Sequence, residues 1–375
     1  MKPNLFLLSL IFSLAFCKSI CAQGVDNIKW FNPMENSYPT LKGKAWQNPD
    51  SLNYFNRLPT EAEKNVRKEV WDLAKNTAGE YIDFYTTAQQ IVVKYQLKAG
   101  KNLENMPTLG VSGLDLYAQD FQNKWHWIKA KYSYKDTITY AYGNFNQSVK
   151  IKRFRLYLPL YNAPKWLKLG INANAELKVE EANEKAPLVF YGTSIMQGAS
   201  AGRPGMAWLN ILGRKLAQPV INLGFSGNGR LESPLIDLMN QTDAKLFVLD
   251  CQPNLTDKKV YPAEEIEKRI TSSVQGLKAK HPNTPILLVE HSSGLDQVNL
   301  DSVLTGNYSW TSKVLNNTYQ KLKKLGIKDL YILTAKEIGF TDDSTIDGTH
   351  PNDFGMMQYA DAYEKIINRI LAVKK

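Results

Sequence analysis

The second half of the sequence alternates short, nearly continuous apolar runs with longer amphipathic segments, and this alternation constrains the fold more than any other feature. Between the runs, apolar residues recur at helical spacing over 206–217, 264–280 and 311–326, and again from about Asp353 to Val373. Apolar strands separated by helices predict a three-layer, flavodoxin-like α/β domain around a parallel sheet. The runs are PLVFYG (187–192), PVINLG (219–224), KLFVLDC (245–251), PILLVEH (285–291) and DLYIL (329–333).

The first half has a different texture, with short alternating segments separated by turn residues. Alternation with a period of two predicts strands that bury one face, as in an antiparallel β-sandwich. The polar stretch EEANEKAP (180–187) predicts a boundary between a sandwich domain over 24–185 and an α/β domain over 186–375. The predicted strands are 86–99, 113–120, 124–134 and 147–161, and one helix is predicted at 60–76.

The N-terminus has the pattern of a secretory leader. Lys2 supplies a positive charge, the run 5–16 is apolar apart from two serines, and small residues allow cleavage after Ala22. We therefore predict a signal peptide over 1–23 and an exported protein, periplasmic or secreted. A lipoprotein anchored at Cys17 or Cys21 is the less favoured alternative, because neither cysteine follows a small residue. No later run is long enough to span a bilayer, so the mature protein is predicted to lack a transmembrane segment.

Cysteine usage and charge exclude several classes of protein. Two of the three cysteines lie in the leader, so the mature chain keeps Cys251 alone and forms no internal disulfide or cysteine-rich metal site. The formal net charge is +10, but the basic residues are scattered among acidic ones and accompany no nucleic-acid motif. We therefore predict no nucleic-acid partner, and a buried, structural Cys251.

Reactive side chains follow the predicted parallel strands at the edge where such sheets bind ligands. Ser194 follows the first strand, and Asp347 and His350 lie three residues apart before the last helix. A serine hydroxyl needs a base to become nucleophilic, and a histidine base needs a carboxylate to fix its tautomer. The spacing therefore predicts a Ser194, His350 and Asp347 triad for acyl transfer, without a metal or cofactor.

The same edge offers donors for an oxyanion and several rival assignments. The amide of Ser194, the glycine-rich loop 224–229 and the side chain of Asn254 are candidate donors. His291 is on the correct edge to compete as the base, but we favour a cleft-lining role that touches substrate; Asp250 competes with Asp347, and we favour bracing. Arg203 and Asn228 are further candidates for substrate binding, although a solvated loop arginine and a turn asparagine fit equally well.

Four sequence blocks resemble those of the SGNH (GDSL-like) hydrolases. They are YGTSIMQG (191–198), NLGFSGNG (222–229), LDCQPN (249–254) and DGTHP (347–351). The resemblance implies a nucleophilic Ser194, oxyanion donors at Gly227 and Asn254, and the pair Asp347 and His350. Thr193 stands where the family usually has an acidic residue, and LDCQPN departs from the usual Gly-x-Asn-Asp. Asn254 is therefore expected about one residue from its usual place.

The first half resembles the β-sandwich, jelly-roll-like domain that precedes a subgroup of these hydrolases, through GLDLY (113–117) and LYLPLYN (156–162). Carbohydrate esterases share this layout. The resemblance implies an exported serine esterase that removes small acyl groups, acetyl above all, from glycans. The alternatives are a lipase or thioesterase for longer acyl chains and a glycan-binding protein whose hydrolase site has decayed. The aromatic residues of 124–134 are predicted to build the sandwich core rather than a sugar-binding face.

Overall fold

The computed structural model describes residues 27–100, 103–143, 145, 150–183, 186–291 and 308–372. The predicted leader and residues 147–149 of a predicted strand lie outside these ranges. The first half contains two short helices, α1 (Lys68–Ala74) and α2 (Thr108–Ser112). Its strands are β1 (Ile28–Phe31), β2 (Tyr81–Thr86), β3 (Gln90–Leu97), β4 (Asp115–Asp120), β5 (Trp125–Ile128), β6 (Lys131–Ser133), β7 (Ile138–Gly143), β8 (Ile151–Tyr157), β9 (Pro164–Asn172) and β10 (Leu177–Val179).

These strands form two antiparallel sheets packed face to face, which confirms the predicted sandwich. One sheet has the order β1-β9-β3-β7-β6 and the other the order β10-β2-β8-β4-β5. Alternate residues enter the shared core, such as Ile91, Val93 and Tyr95 of β3. We call the first the open sheet, and the second the covered sheet because its outer side packs against the α/β half.

Three sequence predictions in this half are wrong. The segment 124–134 is two strands in different sheets, since β5 pairs with β4 and β6 pairs with β7. Its aromatic residues are not core: Trp127 is 47% exposed and Tyr132 is 52% exposed. The predicted helix at 60–76 is interrupted, with a 3-10 turn at Thr60–Lys64 followed by α1.

The second half is the predicted parallel-sheet domain. Its strands are β11 (Leu188–Gly192), β12 (Val220–Gly224), β13 (Leu246–Asp250), β14 (Ile286–Val289) and β15 (Leu330–Leu333), in the order β12-β11-β13-β14-β15. All their pairings are parallel, as in flavodoxin-like sheets. The helices are α3 (Ser194–Gln197), α4 (Trp208–Leu216), α5 (Ser233–Met239), α6 (Ala263–Lys280), α7 (Ser309–Lys324), α8 (Ala335–Ile338) and α9 (Asp353–Ala372).

Residues of the first half contribute to both hydrophobic cores that flank the parallel sheet, Leu58 and Trp71 to one and Val111 and Leu160 to the other. On one side of the sheet, α4 and α9 pack around Trp208, Tyr359 and Tyr363. On the other side lie α5, α6 and α7, together with Leu58 and Trp71 from the first half. The segment around α1 therefore belongs physically to the α/β core. Among the described residues, no helix has the length and apolarity needed to cross a membrane.

Candidate active site

Ser194 lies where β11 ends and α3 begins, and this turn is held by contacts to its carbonyls. The indole N–H of Trp208 donates to the carbonyl of Ile195 at 2.9 Å, and the hydroxyl of Tyr161 donates to that of Ser194 at 3.3 Å. The neighbouring glycine loop approaches closely: a Cβ at Gly229 would lie 2.1 Å from the carbonyl oxygen of Gly192. Glycine is required there for the two strand ends to meet.

The structure brings Ser194, His350 and Asp347 together in one hydrogen-bonded chain. Ser194 Oγ lies 2.8 Å from His350 Nε2, and His350 Nδ1 lies 2.7 Å from Asp347 Oδ2. The other oxygen of Asp347 accepts the backbone N–H groups of His350 at 2.7 Å and Thr349 at 3.0 Å. The loop that supplies both residues therefore also locks the carboxylate against the imidazole.

The electrostatics of this loop keep Asp347 ionised. Partial burial opposes ionisation, but the hydrogen bonds from His350 and Thr349 and the charge of His350 outweigh it and lower the pKa of Asp347. A carboxylate at Oδ2 accepts from Nδ1–H, which leaves Nε2 as an acceptor for the serine hydroxyl. The arrangement is therefore able to remove the proton of Ser194.

The three predicted oxyanion donors are free of other hydrogen bonds among the described residues. The amides of Ser194 and Gly227 make no hydrogen bond to any part of the chain that the structure describes, and Gly227 is exposed with φ +68°. Asn254 Oδ1 accepts the N–H of Gly229 at 3.1 Å, so the amide is oriented with Nδ2 away from that contact. Within the described ranges that Nδ2 has no protein acceptor. The 3-10 turn Gln252–Asn254 after β13 places Asn254 here, despite the departure of LDCQPN from the family block.

Arg57, which sequence reasoning missed, fixes the strand that leads into the glycine loop. Its Nη1 donates to the carbonyls of Asn222 at 3.0 Å and Gly224 at 2.8 Å, and its Nε and Nη2 bond to carbonyls beside α1. The side chain is buried, which lowers its pKa to about 10. No motif marks this arginine, because its partners are backbone carbonyls, and the two that belong to β12 are more than 160 residues away along the chain.

The two further candidates for substrate binding, Arg203 and Asn228, form hydrogen bonds with residues of the first half. Arg203 donates to Asp115 Oδ2 at 2.6 Å and to the hydroxyl of Tyr117 at 2.7 Å. The GLDLY segment therefore binds the α/β half at the interface. Asn228 Oδ1 accepts from Arg67 at 2.8 Å, which ties the glycine loop to the first half.

His291 is fully buried, and neither ring nitrogen has a partner among the described residues. Burial, with a smaller contribution from the charge of His350, lowers the pKa of His291 to about 3 and keeps it neutral. Its ring packs edge-on against Tyr308, with centroids 4.3 Å apart. Its side chain is therefore inaccessible to solvent in this structure, and the contact with substrate that we favoured stays a prediction.

The rival carboxylate Asp250 is also engaged elsewhere. It accepts from the hydroxyl of Tyr363 at 2.8 Å, and burial raises its pKa to about 7 despite that hydrogen bond. Its partner is a residue of α9, which fits the bracing role. Cys251 is buried, as predicted. The described residues contain no group of three His, Cys, Asp or Glu side chains able to hold a metal ion.

Two known family models match this chain, one in each half. A model of the GDSL-like lipase/acylhydrolase family matches residues 185–368, and one for the N-terminus of SGNH-hydrolase-type esterases matches residues 28–177. A putative GDSL-like lipase from Bacteroides ovatus is 32% identical, with a TM-score of 0.82 over 92% of this chain and 98% of that chain. This chain belongs to the GDSL-like lipase/acylhydrolase family. It is an ester hydrolase of the SGNH type with an N-terminal β-sandwich.

More distant solved structures share the fold of this GDSL-like esterase. A salicylyl-acyltransferase from a tetracycline biosynthetic pathway is 20% identical, with a TM-score of 0.71, and covers 92% of this chain and 98% of its own. A family two carbohydrate esterase from Cellvibrio japonicus is 11% identical, with a TM-score of 0.54, and covers 93% of this chain and 99% of its own. No curated protein matches the sequence.

Proposed function

We propose that this GDSL-like esterase is exported and removes small acyl groups, acetyl above all, from carbohydrate esters through an acyl-serine intermediate. The observation that carries the proposal is the unbroken chain from Ser194 Oγ through His350 to Asp347, at 2.8 Å and 2.7 Å. An activated serine with oxyanion donors beside it performs acyl transfer without a further group.

The chemistry follows from these contacts. His350 Nε2 accepts the proton of Ser194 as Oγ attacks the ester carbonyl carbon, and Asp347 stabilises the imidazolium. The oxyanion accepts hydrogen bonds from the amides of Ser194 and Gly227 and from Asn254 Nδ2, each contributing about 3 kcal/mol. His350 then returns the proton to the leaving alcohol, the C–O bond breaks, and a water activated by His350 releases the acid.

Three features support a small acyl group on a glycan. The leader pattern of residues 1–23 supports a substrate outside the cytoplasm. The sandwich resembles the domain of carbohydrate esterases, and a family two carbohydrate esterase shares the two-part fold. The predicted oxyanion donors Gly227 and Asn254 are small or polar, so they add no apolar surface that would favour a long acyl chain.

Activity on esters of graded chain length tests the reaction. We expect p-nitrophenyl acetate to be preferred, Ser194→Ala to lose essentially all activity and fluorophosphonate labelling, and the exposed control Ser272→Ala to keep both. A preference for chains of eight or more carbons contradicts the small-acyl proposal. Failure of the folded wild type to label, or labelling of Ser194→Ala, contradicts the assignment of the nucleophile.

Acetate release from a panel of acetylated polysaccharides tests the substrate class. Release from at least one polysaccharide, lost in Ser194→Ala, is the expected outcome. Activity on p-nitrophenyl acetate with no release from any member of the panel would sink the carbohydrate assignment alone. Export is tested separately by N-terminal sequencing of the mature protein, which we expect to begin at Gln23.

A further inference from the structure

The outer side of the open sheet is basic and carries no compensating acid. None of its five strands contains an Asp or a Glu. Lys94 of β3 and Lys168 of β9 are directly opposed in the register, and neither forms an ion pair within the described part of the chain. Like charges that face each other across strands weaken a sheet. The Nζ of Lys94 lies 5.1 Å from the centroid of the Trp30 ring, so the tryptophan offsets part of this repulsion and an external anion would offset more.

Two tryptophans flank these lysines on the same side. Trp30 pairs with Gly170 across β1 and β9, and a Cβ at Gly170 would lie 2.7 Å from its ring, so the indole packs over this glycine. Trp166 is fixed by its N–H, which donates to Gln96 Oε1 at 3.0 Å. The two tryptophans and the two lysines line a cavity of about 370 Å³.

A second cavity continues across the same side of the sheet. It has a volume of about 540 Å³, and its lining includes Lys129, Lys131 and Asn172. The strands between the two cavities present small side chains outwards, since Val92 is opposed by Gly170 on one side and by Ala141 on the other. No carboxylate lines either cavity. We call these two neighbouring cavities, one basic and the other basic with two tryptophans, the channel.

We propose that this channel binds an anionic polysaccharide, whose uronate carboxylates pair with the lysines while sugar rings stack on Trp30 and Trp166. Positions 166 and 170 of β9 lie roughly 13 Å apart along the strand, a span of more than one sugar ring. Pyranose rings present C–H faces that pack on a flat indole, and ammonium groups on both sides of the channel match charges spaced along a polymer.

The packing of Trp30 argues against a membrane surface as the ligand. Trp30 is 37% exposed, and its ring contacts the position of Gly170 and lies 5.1 Å from the charged Nζ of Lys94, so little of the ring is available to enter a bilayer. The channel also lies on the opposite side of the sandwich from the covered sheet and the α/β half. Binding here goes beyond the proposed esterase function and holds a polymer independently of Ser194.

Titration of the full chain with polygalacturonate by calorimetry tests the proposal. We expect measurable binding that weakens as the salt concentration rises, because salt screens the attraction between the exposed lysines and the carboxylates. Trp30→Ala and Trp166→Ala are each expected to weaken binding about tenfold. The exposed controls Phe121→Ala and Lys178→Ala are expected to bind like the wild type, and all four variants to hydrolyse p-nitrophenyl acetate at the wild-type rate.

Several outcomes would overturn the proposal. No binding of polygalacturonate by the wild type, or equal binding of neutral dextran, overturns the proposal. So does binding of a single-stranded oligonucleotide or of phosphatidylglycerol vesicles that matches or exceeds that of polygalacturonate. If a tryptophan variant fails to fold, the double variant Lys94→Gln/Lys168→Gln decides: unchanged affinity overturns the proposal, and a loss of affinity and of salt dependence supports it.

Discussion

The outer sides of the two sandwich sheets differ in whether their charged side chains are paired with opposite charges. On the covered side, Arg155 forms two 2.7 Å hydrogen bonds with Asp83, and Arg203 meets Asp115 at 2.6 Å. On the open side, Lys94 and Lys168 face each other without an acid. Both sheets have five antiparallel strands, so the architecture does not explain the contrast. Burial requires that charges be paired, whereas water tolerates unpaired lysines.

Removing one partner on the covered side is expected to have the largest effect. Asp83→Ala leaves Arg155 buried without its carboxylate, and Arg153 and Lys42 lose the same neighbour. We expect the free energy of unfolding to fall by about 3–5 kcal/mol, measured by urea denaturation. A loss below about 1 kcal/mol would show that the two sides differ less than the burial of their charges indicates.

Arg57→Met sharpens the comparison next, because Arg57 also joins the first half to the α/β half. Methionine keeps much of the volume but leaves buried carbonyls of Asn222 and Gly224 without their donor. We expect a loss of about 3 kcal/mol in unfolding free energy. We also expect kcat for p-nitrophenyl acetate to fall more than KM changes, because Gly224 leads into the oxyanion loop. Wild-type kcat in the folded variant would contradict this positioning role.

The buried Asp83 on the covered side also predicts that the stability of the fold depends on pH. Burial opposes ionisation of Asp83, but the charge and hydrogen bonds of Arg155 prevail and lower its pKa. The unfolded carboxyl titrates near pH 3.9, so the stabilisation is complete above about pH 5 and is lost as the pH falls towards the folded pKa. The stability advantage of wild type over Asp83→Asn should therefore narrow between pH 6 and pH 3. Chemical denaturation at several pH values measures this, and a constant difference would disprove it.

Substitution on the open side is expected to have the smallest effect. Lys168→Ala removes a lysine opposed to Lys94 and should change the unfolding free energy by less than about 0.5 kcal/mol, towards stabilisation. The same denaturation assay is the measurement. A clear destabilisation would mean that Lys168 contributes to packing, and the contrast between the two sides would then be weaker.

The local pattern was sufficient where strands are buried on both faces. The five parallel strands lie within one or two residues of the apolar runs, and Ser194 lies at the first strand end, as expected. The pattern failed for 124–134, because alternating aromatic residues fit an exposed side as well as a core. Strands β1, β2, β7, β9 and β10 were not predicted either, although the buried residues Leu167, Leu169 and Ile171 of β9 follow the period of two.

The sequence by itself determined the fold class and the candidate triad, because strand periodicity and the Asp347-to-His350 spacing are local properties. Only the tertiary structure decided the surroundings. It assigned Arg203 to Asp115, buried His291, and placed Arg57 under the glycine loop, through contacts between residues far apart in the chain. It also left Lys94 and Lys168 together on an uncovered sheet. Such pairings depend on which surfaces meet, and a one-dimensional pattern does not record that.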